Sequence, residues 1–269
     1  MTQFDRDIAA TKICEEHYSV TISETWNVII GPNGGYIAAI ILNGMKSELG
    51  NVQTRSITFH FLSASIPGNA ELFVKVEKKG RSLSTCNARL VQGKKTIAVA
   101  IATFATKRSE FGFRDFEAPE VPFPEQIESS KRMNSELVSH APFRDHYDQR
   151  LAIGKIPPEI GENGRVGGWT RFRQQRIFDD LAVVAISDSW FPGLSTRATP
   201  EPMHAPTVDH TVHFLQSLPI TDLSLDSFLL VEFTTSIANE GYLVENGNIW
   251  SQTGILIAQS RQLAVCLPR

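Results

Sequence analysis

The chain has 269 residues, 42% hydrophobic and 20% charged, with a formal charge of −3 and a pI near 6.2. That is a folded, globular composition, long enough for one large domain or two of roughly 130 residues, with no basic footprint for nucleic acid. Cys14, Cys86 and Cys266 are odd in number and far apart, which excludes a disulfide framework and a Cys-x-x-Cys metal pair.

Residues 1–7 lack the charged-then-apolar pattern of a signal peptide. No apolar run reaches the ~18 residues that span a bilayer, and Cys266-Leu267-Pro268-Arg269 is no prenylation or peroxisomal tail. A soluble, cytoplasmic protein without membrane partners is the expectation.

Along the chain, residues 18–30 read as a strand, with Val20 and Ile22 on one face and Thr21 and Ser23 on the other. Gly31-Pro32-Asn33-Gly34-Gly35 punctuates it as a turn. A helix follows, with Ile37, Ile40, Ile41 and Met45 on one stripe and Ala38, Ala39 and Leu42 filling the other sides. A helix apolar nearly all round must be buried nearly all round. Strands are expected around Ile57/Phe59/Phe61, Leu72/Val74/Val76, residues 83–91 and Ile97/Val99/Ile101, with Gly80 and Gly93 in the breaks. A sheet wrapped around a helix satisfies both apolar surfaces.

Residues 116–166 form a Pro-rich connector, and part of it, near 125–139, is expected to be helical because long structureless loops are uncommon. The plan then repeats. A strand is expected at 169–175 and a helix at 179–190, capped by Asp179 or Asp180 and stopped by Pro192-Gly193. Strands follow at 208–214, 228–237, 241–245 and 250–265, with Asn246-Gly247 as a tight hairpin turn. The triplets His60-Phe61-Leu62 and His213-Phe214-Leu215 mark the repeat at 213 − 60 = 153 residues. That is too long for a solenoid period and implies two duplicated domains, 1–115 and 167–269.

Certain polar residues do not fit the apolar pattern. Helical periodicity sets Asp188 on the face of Leu181, Val184 and Ala185, in a last turn where the helix dipole disfavours a carboxylate. A buried anion there is costly unless paired, and a carboxylate poised on a water or substrate is one resolution. Gln262 shares a sheet face with Leu256, Ala258, Ser260 and Ala264, where its amide needs a partner. Thr207 begins a strand and is unremarkable alone. His60 and His213 occupy matching places, which points to a shared packing role. Asp209 and His210, adjacent on a strand, point to opposite faces and do not pair. A Gly-x-Ser-x-Gly elbow, a P-loop, a dinucleotide fingerprint and a His-Glu-x-x-His pair are all missing, which leaves water attack or simple acid–base chemistry.

Gly34-Gly35-Tyr36, Ile186-Ser187-Asp188, residues 206–211 (Pro-Thr-Val-Asp-His-Thr) and residues 254–262, ending in Gln262, together resemble the acyl-CoA thioesterase II family and its thioesterase-like relatives. The resemblance implies an α+β double hotdog fold and thioester hydrolysis by a water held by Asp188, Thr207 and Gln262. It also implies an acyl-CoA or acyl-carrier thioester as substrate, no cofactor and no metal. The segment Ser189-Trp190-Phe191-Pro192 is closer to the smaller relatives than to the classical enzyme. A backbone donor for the oxyanion is expected around Gly34 and Gly35, or near Asp180. CoA phosphates could meet Arg81, Lys94 or Lys95. Two other classes remain open: a hydratase or dehydratase using His210 or His213 with Asp188, and a non-catalytic acyl-CoA binder. A homo-oligomer is compatible with either. Setting His60 against His213 places Thr54 opposite Thr207, and setting Thr96 against Thr253 places Ala105 opposite Gln262. The first copy thus lacks the acid and the amide, so one active site per chain, in the second half, is expected.

Overall fold

The computed structural model describes residues 1–29, 31–50, 52–109, 111–133, 141–157, 159–197, 203–221 and 223–268. After a short helix α1 (Gln3–Asp7) come strands β1 (Ala10–Cys14) and β2 (His17–Ile22), then helix α2 (Gly34–Leu49). Strands β3 (Thr54–Phe61), β4 (Gly68–Lys78), β5 (Leu83–Gln92) and β6 (Lys95–Ala105) complete the first half. The second half contains β7 (Arg132–Met133), β8 (Tyr147–Ile153), β9 (Arg165–Phe172), helix α3 (Asp180–Ile186), β10 (Thr207–Phe214), β11 (Leu229–Asn239), β12 (Tyr242–Ser251) and β13 (Leu256–Val265). These strands form one 13-stranded antiparallel sheet in the order β1-β2-β4-β5-β6-β3-β10-β13-β12-β11-β9-β8-β7.

The two halves join where β3 pairs with β10. At the centre of that pairing Thr58 faces Thr211, their hydroxyls 3.0 Å apart and their positions separated by 153 residues. The sequence repeat is therefore a pseudo-twofold axis through this hydrogen bond. Around it the sheet curls over α2 and α3, which pack against each other in the middle.

Helix α2 starts where Asn33 Oδ1 accepts the Tyr36 N–H at 3.0 Å, and it stops at Gly50, whose φ of 85° a side chain would resist. Residues 35–42 are buried on every side, as the all-round apolar pattern requires. Each of Ile37, Ile40 and Ile41 contributes about 1.5–3 kcal/mol by leaving water.

Several local expectations are corrected. Strand β2 ends at Ile22, and a 3₁₀ turn at Glu24–Trp26 precedes a two-residue pairing of Asn27–Val28 with Gly31–Pro32. Ile30 lies outside the described residues. Helix α3 ends at Ile186, well before Pro192, because the Ser187 and Ser189 hydroxyls donate to the Val184 and Ile186 carbonyls that a longer helix would use. Asn246-Gly247 is strand interior, paired with Thr234 and Phe233, and the turn falls at Glu240-Gly241 instead. Gly247 is needed there for space, since a Cβ would sit 2.7 Å from the Phe233 ring.

In the connector, 3₁₀ turns occupy Pro124–Gln126 and Ser129–Lys131, followed by β7, and residues 134–139 of the expected helix lie outside the described residues. Strand β8, also within the expected connector, pairs with β9 and extends the second half of the sheet. Pro122 and Ile127 cover the sheet's other face, where Trp169 Nε1 donates to the Pro122 carbonyl at 2.8 Å. His60 and His213 are exposed, so their shared position carries no core packing.

Where the C-terminal part of α2 meets the start of α3, Lys46 Nζ contacts both oxygens of buried Asp180 at 2.5 Å, and Thr54 donates to the same carboxylate. Replacing Lys46→Met alone leaves that carboxylate without its cation and is expected to cost about 3–5 kcal/mol, whereas Lys46→Met with Asp180→Leu recovers most of the loss. Thermal unfolding of the two variants checks this; a double variant no more stable than Lys46→Met would contradict it.

Candidate active site

At the opposite crossing of the two helices, the end of α3 meets the start of α2. Asp188 lies two residues beyond the last helical residue, Ile186, so its side chain is not fixed by the helical stripe that the sequence suggested. Its carboxylate instead faces the N-terminus of α2. Oδ2 accepts the Gly35 N–H at 2.9 Å, and Asn33 Nδ2 reaches the Asp188 carbonyl at 2.8 Å and Oδ2 at 3.3 Å. The dipole objection is thereby reversed, because a carboxylate is favoured at a helix N-terminus.

The approach is possible because positions 34 and 35 are glycine. A Cβ on Gly35 would sit 2.5 Å from the Ala185 carbonyl oxygen, and one on Gly34 would sit 2.8 Å from Asp188 Oδ2. The Gly35 N–H is thus already committed to Asp188. The Gly34 N–H, a first-turn donor with no acceptor within its own helix, has no partner among the described residues.

Burial pushes the Asp188 carboxyl up to about 7, the Gly35 hydrogen bond opposes this, and the charge of nearby Glu245 adds to it. Asp188 therefore sits near the midpoint of its titration around neutrality, where a carboxylate can both hold and release a proton.

Thr207 opens β10, and Gln262 lies in β13 beside it. The Thr207 hydroxyl donates to Gln262 Oε1 at 3.2 Å, so the structure brings these two together. No hydrogen bond joins either of them to Asp188 among the described residues. The link between the two groups runs through their neighbours. His210 is the strand partner of Gln262, and its Nε2 lies 2.8 Å from the Ser187 hydroxyl, next to Asp188 in the chain. Burial lowers His210 to about 4, so the ring is neutral around physiological pH. His213 is exposed, and no bond joins His210 to Asp188 among the described residues, which leaves the acid–base pair of a hydratase unassembled.

Two residues escaped the sequence reading. Glu245, on β12 opposite Gln262, is buried, accepts from Gln262 Nε2 at 2.9 Å, and interacts with the Asp188 charge. Its signal was obscured because the following Asn-Gly suggested a turn. Tyr147, in the expected connector, is fully buried, and its hydroxyl has no hydrogen-bond partner among the described residues. Burial and the Asp188 charge both raise the energy of ionising it.

The proposed CoA-phosphate cations are not clustered. Arg81 precedes β5 and Lys94 and Lys95 follow it, so ten residues of strand, roughly 33 Å, lie between them.

A sheet wrapped around a buried helix, twice over and fused edge to edge, is a double hotdog. Residues 22–105 match the acyl-CoA thioesterase N-terminal domain and residues 117–266 the acyl-CoA thioesterase C-terminal domain. The chain belongs to the acyl-CoA thioesterase family. No curated protein sequence matches it. Among solved structures, a hot dog protein of unknown function from Alicyclobacillus acidocaldarius superposes with a TM-score of 0.89 at 23% identity, covering 100% of this chain and 99% of that one. An acyl-CoA thioesterase II from Mycobacterium marinum superposes with a TM-score of 0.76 at 20% identity, covering 99% and 98%. At these identities the likeness is one of fold.

The elevated Asp188 value has a consequence for stability. Between the ordinary 3.8 and about 7, the folded protein holds a proton that the unfolded chain has released, so this contribution is lost as pH rises through 7. Asp188→Asn is expected to raise the melting temperature at about pH 8 relative to its effect at about pH 4, by roughly 2–4 °C for each kcal/mol recovered. Calorimetric melts of both proteins across that range check it, and a pH-independent difference would contradict the assigned titration.

Proposed function

We propose that this chain hydrolyses acyl-CoA thioesters by direct attack of a water oriented by Asp188, Thr207 and Gln262. What carries the reading is the placement of a carboxylate that titrates near neutrality at the first turn of α2, with a paired Thr207–Gln262 group in the adjoining sheet. Membership of the acyl-CoA thioesterase family supports the thioester as the bond attacked.

In this scheme the ionised Asp188 takes a proton from the water as its oxygen attacks the thioester carbonyl carbon. The Thr207 hydroxyl, whose hydrogen is directed at Gln262, keeps its oxygen lone pairs free to accept from the water. The carbonyl oxygen becomes an oxyanion, for which the Gly34 N–H at the positive end of α2 is the available donor. Collapse of the intermediate expels the CoA thiolate, which recovers a proton from the Asp188 carboxyl. The carboxylic acid leaves and the next water enters.

Burial of the reacting carboxylate, which raises its basicity, supports general-base action, an effect of about 10²–10⁴-fold. Asp188→Asn should therefore lower kcat for thiol release by roughly that factor, and the parent rate should rise with pH through about 7 as Asp188 ionises. Thiol release from short, medium, long and aromatic acyl-CoAs, followed with a chromogenic thiol reagent, measures both. Undiminished turnover by the Asn variant would remove Asp188 from the mechanism. Hydration of an enoyl-CoA without thiol release would move the protein to the hydratase class.

A further inference from the structure

We propose that Glu245 is a positioning residue for the hydrolysis inferred above: its anchored carboxylate fixes the orientation of the Gln262 amide. The inference rests on that functional reading and adds a residue to it.

The geometry is specific. Glu245 Oε2 accepts the Gly193 N–H at 2.6 Å and the Thr235 hydroxyl at 3.0 Å, while Oε1 accepts Gln262 Nε2 at 2.9 Å. Burial raises the Glu245 carboxyl, and the three donors, Gly193, Thr235 and Gln262, oppose that rise by favouring the carboxylate; no cation is paired with it among the described residues. A free primary amide can turn over and exchange its carbonyl and NH₂ ends. Here the NH₂ end is bound to Glu245, which leaves the Gln262 carbonyl facing the Thr207 hydroxyl. The direction of the Thr207 hydrogen, and with it the lone pairs offered to a water, therefore follows from Glu245.

The duplicated half shows that the fold does not require this arrangement. Strand pairing sets Cys86 against Ala102 in the first half, where the second half sets Glu245 against Gln262. The same sheet positions are filled there by small, weakly polar side chains. A buried carboxylate without a cation is costly, so its presence in only one copy needs a local reason.

Glu245 also acts over distance. Asp188 at the end of α3 experiences its charge, which adds to the burial that already raises that carboxyl. Among the described residues, Tyr147 on β8 interacts with the Asp188 charge and is held protonated by burial, and His210 on β10, bonded to neighbouring Ser187, is neutral through burial. In its ionised form Glu245 adds to the burial that makes Asp188 a stronger base.

Substituting Glu245→Gln removes the charge and presents an NH₂ group where only acceptors fit. Relative to the parent, the variant is expected to lose roughly tenfold to a hundredfold in kcat with KM little changed, and the acid limb of its pH–rate profile should move to lower pH. Thr235→Val, which removes one of the two donors to Glu245 Oε2 but keeps the charge, should lower kcat while leaving the limb in place. Thiol release from the acyl-CoA turned over best measures all these values, and circular dichroism verifies folding. If Glu245→Gln does not fold, the Thr235→Val result decides. Parent-like kcat and an unmoved limb in the folded variants would overturn the proposal.

Should the parent protein release no thiol from any acyl-CoA, the functional reading itself fails, and a separate readout still tests Glu245. Carbon-13 NMR of aspartate carboxyls in the full chain follows the Asp188 midpoint directly. A lower midpoint in Glu245→Gln supports the coupling, and an unchanged one refutes it.

Discussion

The hydrogen bond from the Gly35 N–H to Asp188 Oδ2 is the contact on which the rest of the site depends. It requires two helices from different halves to meet end to end, with no side chain between them. Three sequence features satisfy that requirement. Gly34 and Gly35 remove the Cβ atoms that would collide with Ala185 and Asp188, and Ser187 and Ser189 end α3 early enough to release Asp188. Asn33 caps α2 with its carbonyl oxygen while its amide nitrogen holds the Asp188 backbone. Desolvation raises the cost of the Asp188 charge and the helix N-terminus lowers it. The balance leaves a carboxylate that titrates near neutrality.

The pseudo-twofold through Thr58 and Thr211 generates two such crossings, and the chain uses them differently. At one, Lys46, Asp180 and Thr54 close the junction with a buried ion pair. At the other, the acid faces a sheet carrying Thr207, His210, Glu245 and Gln262. Thr54 and Thr207 both open the strand by which their half joins the other, yet one bonds a structural carboxylate and the other an amide. Duplication within one chain permits this division, which an assembly of identical single-hotdog subunits could not make.

The architecture was legible in the sequence because periodicity and the 153-residue repeat report directly on buried faces. The all-round apolar helix at 35–42 and the alternating strands of the first half fall where the pattern set them. Asp188 and Gln262 stood out as polar groups on apolar surfaces, and Thr207 was added by the family resemblance. What escaped depended on contacts distant in sequence. Periodicity extended α3 through Asp188 because it does not register serines bonding back to the last carbonyls. Asn246-Gly247 resembled a turn, although it was Ser260 and the Phe233 ring on the two neighbouring strands that required the glycine. That misreading concealed Glu245. Aligning the last strands on Thr96 and Thr253 set Ala105 opposite Gln262, whereas strand pairing, with Ile57 against Ala102 and His210 against Gln262, assigns the place to Ala102.

The central claim is that the duplicated scaffold carries one reacting site, at the Asp188 crossing. A crystal structure with a non-hydrolysable acyl-CoA thioether, whose ketone replaces the scissile carbonyl, tests it most directly. The account predicts one ligand per chain, its ketone between Asp188 and the Thr207–Gln262 pair at the first turn of α2. A ketone seated instead beside Lys46 and Asp180, or one at each crossing, would contradict it.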